Sequence, residues 1–229
     1  MRTHVIVIMG LLFVAPLSRA AVPPPEQAVE QLLHASHGIN ELSGKEILET
    51  WEEVRRNPKP YLPFLRARLT LESIEAAKEP ERLRDILGAT GLLLRLGGNE
   101  EREYLAARLK ELHRKRDELS AQVKVRAHSL GASIARDDES FRTQVWHRGR
   151  LIQVENAILR GFAEERDSRL RDTLLPRLEQ DADMRDRYIE YFEVTARQDP
   201  VVRARLKKML AAPGSPVTEK RLRRFFEAN

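Results

Sequence analysis

The chain has 229 residues, 33% charged and 41% hydrophobic, with only 6% aromatic and no cysteine. That is a soluble, helix-friendly composition, and it excludes disulfides, a cysteine nucleophile and a lipid-modified cysteine. The formal net charge of +5 is a small excess of 40 basic over 35 acidic residues with the signs interspersed, which describes a solvated charged surface and not a nucleic-acid-binding face.

Arg2 and His4 open the chain, an apolar run extends from Val5 to Leu17, and Ser18-Arg19-Ala20 sets small residues ahead of Ala21. This is the pattern of a secretory signal peptide over residues 1–20, and its apolar run is shorter than the roughly 20 residues a spanning helix needs. The remainder, residues 21–229, is expected to be one exported domain, periplasmic or secreted, with no transmembrane segment. Without disulfides it must be held by packing, and it is long enough for that.

Val22-Pro-Pro-Pro25 is a stiff lead-in, so the first helix is expected to begin at about Pro25 or Glu26. Its stripe is Ala28, Val29, Leu32 and Leu33, and Gly38 ends it. Ser43-Gly-Lys-Glu46 is a capping box ahead of Ile47, Leu48, Trp51 and Val54. Asn57-Pro-Lys-Pro60 stops that helix and starts the next. Three striped segments follow: Leu62, Leu65, Leu69; then Leu83, Ile86, Leu87, Thr90, Leu94; then Leu105, Leu109, Leu112. Gly97-Gly98-Asn99 predicts a tight turn with a left-handed glycine and Asn99 as the cap of the following helix. The piece Leu65 to Leu69 recurs as Leu105 to Leu109 after 40 residues, about the period of paired-helix repeats.

The third segment can run unbroken past His113-Arg-Lys-Arg116, with Leu119, Val123, Ala127 and Leu130 behind it, until Gly131 and Asp137-Asp138 interrupt. Residues 144–154 admit two readings, a small β-hairpin turning at Arg148-Gly149 or a helix broken at Gly149. The helical reading is preferred, because Leu151, Val154, Ile158 and Phe162 keep helical spacing.

The final third repeats a pattern D-x-x-Φ-R, with Φ apolar, at Asp167 to Arg171, Asp181 to Arg185 and Asp199 to Arg203. Each Asp is placed to cap a helix and each Φ to turn inward. Asp199-Pro200-x-Val202-Arg203, together with Pro60-x-Leu62-Pro63-x-Leu65, resembles the HEAT-type helical repeats over about half of residues 21–229. The chain departs from that pattern at Leu206, where a small residue is expected. The resemblance implies an all-α, α-solenoid, HEAT-like stack of antiparallel helix pairs that binds other molecules, and it implies no activity.

Candidate functional residues are few. Glu30, His34 and His37 stand at i, i+4, i+7 on the first helix, a spacing that suits a divalent metal, though a terminal amphipathic helix carries such residues without one. His113, His128 and His147 have no companion spacing and read as surface or boundary histidines. Acidic pairs such as Glu52-Glu53, Glu100-Glu101, Asp137-Asp138 and Glu164-Glu165 are better explained by helix starts than by acid–base chemistry. Tyr188, Tyr191 and Phe192 cluster within one helix turn as partner-binding candidates, against the alternative that they join helix pairs. Arg203, Arg205, Lys207, Lys208, Lys220, Arg221, Arg223 and Arg224 make the C-terminal helices basic and a candidate anionic contact. The expectation is an exported scaffold for protein–protein interaction, with no catalysis, cofactor or nucleic acid. The alternatives are a nucleic-acid-binding helical repeat, should the export signal be false, and an envelope hydrolase using a carboxylate pair.

Overall fold

The computed structural model describes residues 23–36, 43–130 and 138–227, and it is all-α, with no strand among them. The signal-peptide segment, His37, the Gly38 stop and the break at Gly131 lie outside the described residues. The helices are α1 (Pro25–Ser36), α2 (Gly44–Arg56), α3 (Leu62–Arg68), α4 (Leu71–Ala76), α5 (Pro80–Leu96) and α6 (Asn99–Leu130), followed by α7 (Glu139–Glu164), α8 (Arg171–Leu174), α9 (Arg177–Gln180), α10 (Arg185–Thr195), α11 (Pro200–Leu210) and α12 (Pro216–Glu227). None of them is long and apolar enough to cross a membrane.

Local chemistry explains most of the boundaries. Ser43 and Glu46 form the capping box at the start of α2, each side chain meeting the other's backbone N–H. Thr70 accepts from Ser73 N and separates α4 from α3, a break the leucine stripe did not reveal. Pro80 occupies the first turn of α5. Asp199 accepts from the N–H groups of Val201 and Val202 at the start of α11. The inward residues of the D-x-x-Φ-R turns, Leu170, Met184 and Val202, are all buried.

The glycine turn before α6 is built differently from expectation. Gly97 is extended (φ −83°, ψ 153°), and glycine is needed there because a Cβ would stand 2.3 Å from that of Glu101. Asn99 is the first residue of α6 and not its cap; its side chain donates to Glu103 and accepts from Arg169.

Packing follows a simple succession. In one row α1 touches α5, α5 touches α7, α7 touches α10 and α10 touches α12. Against this row lie α2 on α1, α3 on α5, α6 and α4 on α7, α9 on α10 and α11 on α12. The leucines of the 40-residue echo, Leu65, Leu69, Leu105 and Leu109, are fully buried within one continuous core. Full burial of such a side chain contributes about 1.5 to 3 kcal/mol, so the succession is held chiefly by apolar contact.

Neither reading of residues 144–154 holds, because α7 passes through Gly149 without a break. The apolar face that α7 buries outweighs the local glycine and the β-prone Val145 and Trp146, which are exposed. Two glycines of α7 therefore differ in kind. A Cβ on Gly149 meets open space, whereas one on Gly161 would lie 2.0 Å from Leu94 Cδ1, a buried atom of α5. Gly149→Ala is expected to stabilise the chain by about 0.5 to 1 kcal/mol. Gly161→Ala is expected to destabilise it by about 1 to 3 kcal/mol, as overpacking does. Urea denaturation of the two variants checks this, and the same sign for both would show that α5 and α7 do not approach closely at Gly161.

Candidate functional site

Among the described residues, two places that gather polar side chains from several helices stand at the centre of the helix row. The first is closed. Arg116 continues the stripe Leu105, Leu109, Leu112 along α6, so its guanidinium enters the core, where only 2% of the residue stays exposed. There Nε donates to Glu155 Oε1 of α7 at 3.0 Å and Nη1 to Asp181 Oδ1 at 2.9 Å, while Nη2 donates to Asp181 Oδ2. Tyr188 of α10 donates its hydroxyl to Asp181 Oδ2 at 2.6 Å. Arg177 of α9 forks onto Asp117 at 2.8 and 2.9 Å and reaches Asp181 Oδ2 at 3.4 Å. His113 Nε2 lies 3.4 Å from the Tyr188 hydroxyl and 3.7 Å from Glu155 Oε2.

The ionisation states follow from burial and from these partners. Burial pushes the Glu155 carboxyl up to about 8, against the pull of Arg116, and its Oε2 has no hydrogen-bond partner. Burial, with Arg177 and Arg116 nearby, lowers His113 to about 3, so its ring is neutral. Burial would also raise Asp181, but the hydrogen bonds from Arg116 and Tyr188 outweigh it and hold that carboxylate well below its usual range. A neutral Glu155 leaves Arg116 and Arg177 balanced by Asp181 and Asp117. The cluster has an acid, a neutral imidazole and a carboxylate; His113, Arg116, Glu155, Asp181 and Tyr188 are buried, while Arg177 is half-buried and Asp117 exposed at its edge, and together they tie α6, α7, α9 and α10 to one another.

The second place is open. A groove of about 680 Å³ runs across α5, α7 and α10. Its floor includes the small residues Gly91, Ala157 and Gly161, and Gln153, Asn156 and Arg160 line the α7 side. On the far wall Arg187 pairs with Glu190 at 2.8 Å, beside the half-exposed Val194. Arg160 and Glu164 stand exposed in the groove, with no ion pair to any described residue.

The structure redistributes the candidate residues. Tyr188, Tyr191 and Phe192 are at most 1% exposed and join helices, with Tyr191 also at the lining of the groove; Tyr191 donates to Asp167 O at 2.7 Å. His113 is likewise buried, not a surface or boundary residue. The basic C-terminal helices are largely neutralised from within: Arg205 pairs with Glu179, Arg221 with Glu190, Arg223 with Glu219 and Arg224 with Glu193. Arg203 donates to Arg197 O and lies over the Phe226 ring, so Lys207, Lys208 and Lys220 remain the exposed cations there without an ion pair to a described residue. Glu30 and His34 do share one side of α1, with His34 Nε2 3.9 Å from Glu30 Oε2. Trp146 is 63% exposed, with the Arg150 guanidinium 5.0 Å over its ring.

Sequence reading missed the closed cluster. Its signal was that His113 and Arg116 extend an apolar stripe of α6, as Glu155 does between Leu151 and Ile158 of α7. Comparison with protein-family models, with curated proteins and with solved structures returns no match.

Between the ordinary carboxylate value and about 8, the folded chain keeps a proton on Glu155 that the unfolded chain has released. Rising pH in that window therefore favours the unfolded chain. Since one pKa unit is worth about 1.4 kcal/mol, stability is expected to fall by a few kcal/mol across it. Glu155→Gln, which cannot ionise, should lack that fall. Urea denaturation of both chains at several pH values gives the difference, and parallel curves would mean that Glu155 is charged in the fold.

Proposed function

We propose that the chain is an exported, HEAT-like scaffold that mediates protein–protein interaction in the cell envelope. The single observation that carries this reading is the open groove across α5, α7 and α10, three consecutive members of the helix row. The row of helices with a second set laid against it supports the reading as a solenoid, an architecture in which each unit is held by its neighbours and a long surface is left for a partner. The D-x-x-Φ-R turns support the same reading, since their apolar residues face inward. The groove's small floor residues and its unpaired Arg160 and Glu164 suit a segment of another chain better than a small apolar ligand.

A photo-reactive amino acid placed at Asn156 or Arg160 is expected to cross-link to a discrete protein in living cells, and the same group at the exposed Glu118 of α6 is not. Equal adducts from both sides, or none from the groove, would overturn the docking reading. Export is tested apart from docking: the intact mass of the protein recovered outside the cytoplasm should correspond to a chain beginning at Ala21, and a retained Met1 would show that residues 1–20 are no signal peptide.

A further inference from the structure

The metal-like spacing on α1 becomes more specific in three dimensions. Glu30 and His34 face α5, and α5 supplies Asp85, so that one ligand atom from each of the three lies within 4.8 Å of the others. The sequence alone could not bring Asp85 to this place, because 51 residues separate it from His34 and only the packing of α1 on α5 joins them.

We propose that Glu30, His34 and Asp85 form a binding site for a divalent first-row transition ion, zinc by the chemistry of its ligands, which pins α1 to α5. One imidazole nitrogen and two carboxylate oxygens are ligands that zinc takes at about 2.0 to 2.2 Å, and three protein ligands leave a fourth position for water. The 3.9 Å between His34 Nε2 and Glu30 Oε2 is wider than the spacing around a bound ion, so binding would draw the ligand atoms together, with the exposed His34 side chain free to turn.

Two features make the site more than a chance meeting of polar groups. Arg68 of α3 holds Glu30 through Oε1, which leaves Oε2 facing His34, and a partner of this kind fixes the orientation of a ligating carboxylate. Asp85 is only 9% exposed and forms the inner wall, whereas the His34 side chain is 56% exposed and forms the outer one. An ion can therefore enter from solvent and keep a water on its open side. The inference is independent of the groove and of what docks there.

The test uses the untagged full chain, since a polyhistidine tag would bind the metal itself. Calorimetric titration with zinc is expected to give one saturable site, and cobalt to give a visible absorption band on the same stoichiometry. Zinc should raise the thermal midpoint, because an ion that binds only the folded chain stabilises it. His34→Ala, at an exposed position, should abolish the binding and the thermal shift; Asp85→Asn, nearly isosteric, should weaken binding by at least about tenfold. His128→Ala, which removes an exposed histidine of α6, should change nothing. No saturable zinc binding, binding that survives His34→Ala, or an equal loss in His128→Ala would overturn the site.

Discussion

A guanidinium buried among four helices sets the terms for the centre of this molecule. Taking Arg116 out of water costs several kcal/mol, and the cost is offset only where its donors meet acceptors in good geometry. Glu155 and Asp181 supply those acceptors, from α7 and from the end of α9. Such a cluster discriminates steeply against misplacement. A shift of α9 or α10 along α7 would leave a buried charge without its partner, a loss of about 3 to 5 kcal/mol, whereas a leucine in a comparable slot would tolerate a small slide. The helices α8 and α9 have four residues each and can bury little surface of their own. The register of α9 rests on Arg177, Asp181 and the turn that follows, while Arg171 ties α8 to Asp199.

With α10 held in this way, the two sides of α7 take separate roles. Leu151, Glu155, Ile158 and Phe162 point into the core, at intervals of four, three and four residues. Gln153, Asn156, Arg160 and Glu164 follow similar intervals on another face and line the groove. Gly161 lies between these faces and lets Leu94 of α5 come close, which brings the wall of the groove near its floor. Gly161 thus serves the α5–α7 contact and the lining of the groove together. A larger side chain at Gly161 would disturb both at once.

How far the sequence foretells this molecule depends on whether the signal is local. Stripes, caps and proline stops are local, and Leu65, Leu105, Leu109 and the Ser43–Glu46 box stand where the pattern puts them. Gly149 misled because glycine weakens a helix only by about 1 kcal/mol, less than the burial of Leu151, Val154 and Ile158 restores. Tyr188 misled because a tyrosine suits an interface and a core equally well until a buried acceptor such as Asp181 is known. The meeting of Arg116 with Asp181, and that of His34 with Asp85, join residues far apart in sequence. With one chain and no other signal, only the unexpected charge on an apolar stripe could have pointed to the first, and nothing local pointed to the second.

The excess of base also has an internal use that composition conceals. A helix leaves its last carbonyls without partners, and several short helices close together multiply that deficit. Here arginines from other elements meet it. Arg150 donates to Glu75 O at the end of α4, Arg185 to Leu178 O and Glu179 O of α9, and Arg197 to Arg224 O and Phe225 O in the last turn of α12. A planar, permanently charged fork can serve two adjacent carbonyls at a helix terminus, where the dipole favours a cation, and a lysine could not do so with the same geometry. Arg150 and Arg185 thereby each join two helices, and Arg197 joins the turn after α10 to α12. In a chain without cysteine, the guanidinium thus does for the ends of these helices what the leucine stripes do for their sides.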